Sequence, residues 1–320
     1  MTAIQATVAH KERCARDVYA LTLSVPPSAA PVTPGAHIDV SLPGGLMRQY
    51  SVFDAAPDRR TLKIAVLREE EGRGGSKALC DDVYVGQTLT VSAPRNHFEL
   101  VLDQKHYVLI GGGIGITPLF AMAHALASRA ASFELHYCAR ARGDAALCEE
   151  IEVSPWAPRA HFYFSEEGPS PRLDLPSLMR ELRADASVYI CGPERMLLES
   201  QDLAAALQWP AGKLRFESFS PVQAAVPRAD TAAFRVRLSQ SGEEFDVAAD
   251  QTLLEALTGQ GVDVPTSCTE GVCGSCITPV ISGEIDHHDC CLYDEEKEAN
   301  TAIAVCVSRG KTGGLLVLDL

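Results

Sequence analysis

Apolar and polar residues alternate along the first third of the chain, which predicts β-strands. Leu62, Ile64 and Val66 alternate with Lys63 and Ala65, the period of two typical of a strand buried on one face. Six such segments, separated by proline- and glycine-rich turns, cover residues 4–9, 18–25, 37–42, 48–54, 61–68 and 88–93. Six short strands joined in this way indicate a small antiparallel β-barrel, which we place at residues 1–103.

The middle third has short continuous apolar runs that alternate with helical segments. The runs at 107–110, 133–137, 161–165 and 187–191 are predicted strands, because strands of a parallel sheet are buried on both faces. Helices are predicted from the turn at 111–118 to about 129, and over 144–151, 175–183 and 194–207. The alternation predicts a doubly wound α/β domain over residues 104–225.

The last third begins after an aperiodic stretch, residues 220–232, that carries two prolines and is predicted to be a linker. Beyond it, strands are predicted at 233–238, 243–247, 277–281 and 315–320, with a short helix at 252–259. This set predicts a compact β-grasp module at residues 226–320. The whole chain is therefore expected to be a multidomain α+β protein.

Composition narrows the classes of function. The 320 residues carry a net charge of −14, which argues against nucleic acid as the main partner, since phosphate binding needs a basic surface. The sequence has no apolar run of about 18 residues, and its first residues do not have the pattern of a signal peptide. Eleven cysteines, an odd number, are best explained as mostly reduced thiols in a cytoplasmic protein.

Three of these cysteines form a C-x4-C-x2-C motif, Cys268, Cys273 and Cys276, and Cys306 follows 30 residues later. This is the ligand spacing of a plant-type 2Fe–2S cluster, in which three thiolates come from one tight loop and one from a distant strand, so Cys306 is expected in a strand. Structural zinc is the first alternative, but zinc sites favour paired C-x2-C units. Buried free thiols are the second, although a glycine-rich loop is unlike a core segment. The adjacent cysteines at 290 and 291 are interpreted as incidental.

Two glycine-rich turns are candidates for phosphate binding. Residues 73–77, Arg-Gly-Gly-Ser-Lys, precede a predicted helix at 77–81, and residues 112–118 read G-x-G-x-x-P after the first parallel strand. Free amides at a helix start suit a phosphate or a dinucleotide pyrophosphate. The segment Cys-Gly-Pro at 191–193, after the last predicted strand, would face the same ligand. The alternative is that each is only a tight turn.

Residues 165–167, Ser-Glu-Glu, end the third strand of the predicted α/β domain. An acidic residue there can accept the ribose hydroxyls and would repel a 2′-phosphate, which favours NADH over NADPH. The competing interpretation is a solvated acidic loop. Arg140, after the second strand, either stacks near the adenine or is a surface charge.

Four motifs occur in one order: residues 48–51 (Arg-Gln-Tyr-Ser), 112–118, 191–193, and 267–276 with 306–309. With them the chain resembles the phthalate dioxygenase reductase class of Rieske-oxygenase reductases over essentially its whole length. Gly283 and residues 286–289 also resemble the segment that follows the cluster loop in that family. The C-terminal position of the ferredoxin module distinguishes this class from related aromatic-ring reductases, which usually carry it in front.

The resemblance implies FMN rather than FAD, NADH, and a 2Fe–2S cluster. Ser51, beside flavin N5, and Cys191 are the candidate catalytic residues, and Phe219 rather than Phe216 would cover the flavin ring. The flavin candidates are Arg48, Gln49, Tyr50, Ser51, Ala65, Val66, Leu67, Gly74, Gly75, Ser76 and Phe219. The NADH candidates are Gly112, Gly113, Gly115, Thr117, Pro118, Arg140, Ser165, Glu166, Cys191, Gly192 and Pro193. The metal ligands are Cys268, Cys273, Cys276 and Cys306.

The expected function is an NADH-dependent reductase that passes electrons through FMN and the cluster to a terminal Rieske-type aromatic-ring oxygenase, with no membrane or nucleic-acid partner and a monomeric state. Two alternatives remain open: a redox sensor with the same cofactors, and a reductase that serves an O-demethylase of the vanillate type or a haem enzyme. His287 and His288 are expected to be loop or surface residues. The aromatic substrate belongs to the oxygenase, so this sequence does not identify it.

Overall fold

The computed structural model describes residues 3–26, 32–42, 46–58, 60–72, 74–167, 172–210, 212–219 and 232–320. Arg73, the predicted turn at 43–45 and nearly all of the predicted linker at 220–232 lie outside these ranges. The chain divides into two compact units, Met1–Phe219 and Ser220–Leu320. The finer domain boundaries, after residues 103 and 225, stay predictions. In the part of the chain that is described, no helix is long and apolar enough to cross a membrane.

The first unit begins with the predicted barrel, in which six antiparallel strands close in the order β1–β2–β5–β4–β3–β6. Its strands are β1 Ala3–Ala15, β2 Val18–Ser24, β3 His37–Ser41, β4 Met47–Ala55, β5 Thr61–Leu67 and β6 Thr88–Ser92. Alternate apolar side chains, among them Leu21, Ile38 and Ile64, fill the interior. The six-stranded prediction is confirmed, although β1 continues well beyond residue 9.

A short helix, α1 Gly75–Lys77, follows the barrel's fifth strand and continues as a π-helical turn, Ala78–Asp82. The predicted helix at 77–81 therefore starts too late and misses the change of helix type. Leu79 and Cys80 are adjacent in sequence and both are buried against the barrel core. The wider turn accommodates two neighbouring apolar side chains on one side of the helix.

The α/β part has a five-stranded parallel sheet in the order β11–β10–β7–β8–β9. The strands are β7 His106–Gly112, β8 Ser132–Ala139, β9 Ala160–Phe164, β10 Ala186–Cys191 and β11 Leu214–Glu217, and the helices are α2 Ile116–Ser128, α3 Cys148–Glu152, α4 Leu175–Glu181 and α5 Glu194–Ala206. The doubly wound prediction is confirmed. Because β8 and β9 lie on one side of β7 and β10 on the other, the order in which strands are added to the sheet reverses between the neighbouring parallel strands β7 and β10.

Two predictions in this part are wrong. The helix expected at 144–151 is instead a 3-10 turn, Arg142–Asp144, and the short helix α3. Leu147, between them, has a φ of +59°, which a continuous right-handed helix does not tolerate. The strand at 191 is not the last, because β11 follows it; this edge strand mixes charged and apolar residues and so lacks the continuous apolar run of its neighbours.

Helix α2 joins the barrel to the parallel sheet. Phe53 on β4 meets Phe120 on α2 edge to face, with ring centroids 5.9 Å apart. Both belong to one apolar cluster that also contains barrel and sheet residues such as Ala65 and Leu135. The barrel and the carboxyl ends of the sheet are therefore parts of one packed unit.

The second unit has a mixed sheet in the order β13–β12–β18–β14–β16 and a small pair, β15–β17. Its elements are β12 Phe234–Leu238, β13 Glu244–Val247, α6 Leu253–Gly259, β14 Ile277–Ser282, β15 Ile285–Asp286, α7 Asp294–Ala299, β16 Ala302–Ala304, β17 Arg309–Gly310 and β18 Leu315–Leu318. Leu253 and Leu257 on α6 pack against the sheet residues Val236 and Ile303. The β-grasp prediction is confirmed; α7 and the short strands β15, β16 and β17 were not predicted.

Candidate functional site

The four motif cysteines form two close pairs of thiols in the second unit. Cys276 Sγ and Cys306 Sγ are 3.2 Å apart, too far for a disulfide bond. Cys268 and Cys273 share a hydrogen bond. An all-thiol set in two pairs suits a cluster with two irons, each held by two thiolates. The donor chemistry therefore fits the 2Fe–2S cluster that the spacing predicts.

The loop around these thiols directs backbone amides toward sulfur. Glu270 N donates to Cys268 Sγ at 3.3 Å, and Ser275 N donates to Cys273 Sγ at 3.4 Å. The left-handed backbone of Gly271, with a φ of +72°, helps the loop to turn back on itself. Hydrogen bonding with Cys268 lowers the pKa of Cys273. A thiolate is thus favoured within this pair, as metal binding requires.

Cys306 lies in a turn and not in a strand, contrary to the sequence-based expectation. It follows β16, and the turn is closed by Val307 N and Ser308 N, which donate to Ala304 O at 3.2 and 2.9 Å. The apolar neighbours of Cys306 in sequence suggested a strand, but they pack into the core of the unit from this turn.

In the first unit, β4 and α1 form a cradle with unsatisfied polar groups. Arg48 Nη2 and Ser51 Oγ are buried and have no hydrogen-bond partner in the described chain. A Cβ on Gly75 would lie only 2.6 Å from Arg48 Cγ, so the glycine allows the guanidinium to lie against the helix start. A ligand with an anionic group and a polar ring edge would satisfy both side chains. The cradle therefore fits a flavin nucleotide.

The other flavin candidates have mixed surroundings. Gln49 Nε2 donates to Asp39 Oδ1 at 3.0 Å, and Ser76 Oγ accepts from Glu69 N at 3.1 Å. Burial raises the pKa of Tyr50. Val66 is in the barrel core, whereas its neighbours on β5, Ala65 and Leu67, pack on the α2 side, and Gly74 has a φ of +86° at the start of α1. The side chains of Gln49 and Val66 thus serve barrel packing, and their roles at the cofactor stay predictions.

The predicted dinucleotide turn lies where β7 and β10 end side by side. A Cβ on Gly115 would lie 2.3 Å from Cys191 O, and one on Gly112 would lie 2.5 Å from Pro193 Cδ. A Cβ on Gly192 would come within 3.1 Å of Gly112 Cα. These glycines allow the two strand ends to approach, and ligands of doubly wound sheets bind at this reversal of strand order. The geometry therefore fits a dinucleotide.

The other candidates in this turn are Gly113, Thr117 and Pro118. A Cβ at Gly113, where φ is +55°, would meet nothing within 4 Å. Thr117 Oγ1 donates to Ile114 O at 3.0 Å, and Pro118 is in the first turn of α2, where its missing N–H costs little. The threonine hydroxyl therefore holds the turn itself.

The predicted adenosine end is assembled at the carboxyl ends of β8 and β9. Ser165 N donates to Ala139 O at 3.1 Å, and Glu166 N donates to Arg140 O at 2.8 Å. Arg140, Ser165 and Glu166 are exposed. The structure thus brings these three candidates together with side chains free to meet a ligand.

The two phenylalanines near residue 217 differ in surroundings. Phe216 packs with Leu197 and Ile190 on the α5 side of the sheet. Phe219, by contrast, is 43% exposed. Phe216 is thus a core residue, which leaves Phe219 as the aromatic able to cover a ligand.

The sequence analysis missed Glu217 as a functional candidate. This residue ends β11 and is paired in register with Cys191 on β10. Its Oε2 is buried without a hydrogen-bond partner, and burial raises its pKa to about 8. Burial also raises the pKa of Cys191 well above its ordinary value, so both groups are neutral at pH 7. The signal was a single acid between the two phenylalanines that were weighed as flavin neighbours.

The segment after the cluster loop is also more closely packed than expected. His287 was predicted at the surface, but its side chain is only 11% exposed and its Nδ1 lies 3.4 Å from Asp289 Oδ1. His287 is therefore a loop residue, as one part of the expectation stated, but a largely buried one. Cys290 N donates to Gly271 O at 3.0 Å, so the adjacent cysteines lie directly against the cysteine loop.

A flavin-type barrel, a doubly wound sheet and a thiol cage define an electron-transfer oxidoreductase that works through a flavin and a 2Fe–2S cluster. Residues 5–100 match the family described as oxidoreductase FAD-binding domain, and residues 236–311 match the 2Fe-2S iron-sulfur cluster binding domain. The chain belongs to the phthalate dioxygenase reductase family. It is 38% identical over 317 residues to phthalate dioxygenase reductase of Burkholderia cepacia, covering 98% of this chain and 96% of that protein.

Other relatives extend the comparison. A vanillate O-demethylase oxidoreductase of Pseudomonas sp. (strain HR199 / DSM 7063) is 41% identical over 292 residues, which are 91% of this chain and 90% of that one. A solved phthalate dioxygenase reductase is 37% identical and superimposes with a TM-score of 0.69, covering 99% of this chain and 98% of that chain. An intact type IV self-sufficient cytochrome P450 monooxygenase is 38% identical with a TM-score of 0.90 over 99% of this chain, which spans only 41% of that longer protein.

Proposed function

We propose that this chain is an NADH-dependent reductase component that passes electrons from NADH through FMN and a 2Fe–2S cluster to a Rieske-type terminal oxygenase. One observation carries the proposal: the described part of a single chain holds a cradle with buried, partnerless polar groups, a glycine-lined crevice between strand ends, and four thiols in two close pairs. Each feature suits one of the three redox groups, and together they account for a complete electron path.

The cofactors supply the redox chemistry, because a bound flavin takes an electron pair from NADH and releases electrons singly to an iron–sulfur cluster. The chain positions them. Arg48 binds the flavin phosphate, and Ser51 offers its hydroxyl to the polar edge of the ring. Gly112 and Gly115 would leave space for the pyrophosphate beside the backbone of Cys191 and Gly192.

The choice of FMN is supported by the family resemblance, although the matching domain family is named for FAD. Acid extraction of the flavin followed by chromatography decides between the two. FMN is expected, and FAD would contradict this part of the proposal while leaving the electron path intact.

The preference for NADH is attributed to Glu166, which lies exposed at the end of β9 and would repel a 2′-phosphate. Glu166→Gln should lower the ratio between kcat/KM for NADH and kcat/KM for NADPH. The matched control is Glu167→Gln, because the neighbouring Glu167 Oε1 instead accepts the backbone N–H of Arg142 at 2.6 Å. Equal ratios in the wild type and Glu166→Gln would rule out this role.

An anaerobic titration with NADH tests the electron path as a whole. Both the flavin and the cluster absorption bands should bleach in the wild type. In Cys306→Ser, which removes one of the four thiols, the flavin should still bleach while the cluster bands are weak or missing. A wild-type cluster that stays oxidised under excess NADH would refute the proposal. Slow reduction of cytochrome c would instead favour the redox sensor.

The partner is proposed to be a Rieske-type oxygenase, on the similarity to reductases named for phthalate dioxygenase and vanillate O-demethylase. A haem monooxygenase is the second candidate, favoured by the superposition on the cytochrome P450 protein. Mixing the chain with a Rieske oxygenase or with an isolated P450 haem domain, and measuring product formed per NADH, separates the two. The chain is proposed to act as a monomer, which size-exclusion chromatography with light scattering tests.

A further inference from the structure

The carboxylate of Asp289 is completely buried next to the cysteine cage. Its side chain is 0% exposed. Ser308 Oγ donates to Oδ1 at 2.8 Å, and Leu292 N donates to Oδ2 at 3.0 Å. Cys291 Sγ makes a longer contact of 3.6 Å with Oδ2. Both oxygens of this buried carboxyl therefore accept hydrogen bonds, which offsets the cost of removing them from water.

This carboxylate and its backbone join the two parts of the chain that supply the thiols. Ser308, which binds Oδ1, lies two residues after Cys306. On the other side, a Cβ on Gly271 of the cysteine loop would lie 3.2 Å from Asp289 Cα. Lys297 Nζ fixes the same segment by donating to Asp289 O at 2.8 Å. Asp289 therefore bridges the Cys306 turn and the loop that carries the other three cysteines.

The charge of Asp289 also influences a thiol beside the cysteine cage. The thiol of Cys291 has its pKa raised, first by burial, then by the Asp289 carboxylate, and next by Cys276. The thiol of Cys291 thus interacts electrostatically with both the Asp289 carboxylate and the Cys276 thiol. Little water separates them, since all three side chains are mostly buried, and charges interact more strongly in such a medium.

We propose that Asp289 is a positioning residue for the cluster, which ties the Cys306 turn to the cysteine loop and lowers the cluster's reduction potential through its buried negative charge. The inference rests on the cluster assigned in the proposed function. Reduction adds one negative charge to a site that already faces a fixed anion, so the electron is held less tightly. Potentials of iron–sulfur clusters respond to net charge and hydrogen bonding around the sulfurs.

Asp289→Asn tests the proposal, with Asp286→Asn as the matched control. The control makes the same substitution three residues away, where the carboxylate is 54% exposed and lies 2.8 Å from His288 Nε2. The readout is a redox titration with dithionite and mediators, followed by the EPR signal of the reduced cluster, so that it depends on neither NADH nor the flavin. Asp289→Asn should favour the reduced cluster at least tenfold, a rise of about 59 mV for one electron. Equal potentials in the wild type and both variants would overturn the proposal.

If Asp289→Asn is isolated without iron, Ser308→Ala tests the positioning role instead. This variant removes the donor that links the carboxylate to the Cys306 turn, so it should release iron to a chelator faster than the wild type and Asp286→Asn. Release at the wild-type rate would overturn the positioning role. A wild type without iron or EPR signal would instead contradict the proposed function, so the two failures are distinguishable.

Discussion

Glu217→Gln should remove a pH-dependent loss of stability. Burial raises the pKa of Glu217 from 4.5 to about 8 in the folded chain. Between these values the unfolded chain has released the proton and the folded chain keeps it, so stability falls as pH rises through that window. At 1.36 kcal/mol per pKa unit, the full loss is about 5 kcal/mol. Glutamine has a similar shape and carries no proton to lose, so the variant should lack this pH dependence.

The assay is the unfolding free energy of the first unit in the intact chain, followed by flavin and tryptophan signals at a series of pH values from about 5 to 8. Relative to Glu217→Gln, the wild type should lose about 1.4 kcal/mol for each pH unit. Infrared spectroscopy gives a direct check, since the wild type should show a protonated carboxyl band that titrates near pH 8 and is missing from the variant. Glu199→Gln, at an exposed position on α5, should change neither signal. Parallel stability curves for the wild type and Glu217→Gln would refute the reasoning.

Three further substitutions test the packing around the sites. Gly115→Ala places a methyl group against the backbone of β10, so it should lower the unfolding free energy by about 1–3 kcal/mol and raise the Kd for NADH. The control Gly143→Ala, whose Cβ would meet only a side-chain atom at 3.8 Å, should change neither quantity. A Gly115→Ala variant with the wild-type Kd and melting temperature would contradict the assignment of the crevice. Gly75→Ala would displace Arg48, so the flavin-to-protein absorbance ratio should fall, and a fully flavin-loaded variant argues against the cradle. Thr252→Ala removes the side-chain cap of α6 and should destabilise the second unit by about 1 kcal/mol in urea unfolding, with no effect on the flavin; an unchanged midpoint contradicts this.

The sequence predicted the elements whose patterns arise from burial on one or both faces. The strand of Leu62, Ile64 and Val66 is an example, because each second side chain enters the barrel core. The errors come from contacts that are distant in sequence. Leu147 adopts a left-handed backbone within a segment of helical composition, and it is fully buried together with Ala146. Strand β11 forms by pairing with the edge of β10, a contact that its own sequence pattern does not indicate.

The candidate sites were likewise predicted where their residues are close in sequence and missed where they depend on distant contacts. The cysteine spacing identified the thiol cage, since three ligands are close in sequence and a loop of ten residues fixes their geometry. Glu217 escaped notice because its importance depends on burial beside Cys191, to which it is paired across two strands. Asp289 was recognised only as part of a family segment, and its contact with Ser308 joins residues 19 apart.

Glu217 and Asp289 are both acids between apolar or sulfur-containing neighbours, yet their surroundings offer them different numbers of hydrogen-bond donors. Glu217 Oε2 has no donor in the described chain, so burial keeps the proton on the carboxyl. Asp289 receives hydrogen bonds from Ser308 and Leu292, which compensate the loss of water around the anion. A neutral acid beside the end of β10 would not repel an anionic ligand bound there, whereas the Asp289 carboxylate beside the thiol cage is proposed to oppose reduction of the cluster. On this reasoning, adding a hydrogen-bond donor near Glu217 or removing one from Asp289 would change the electrostatics around each acid without changing any ligand of a cofactor.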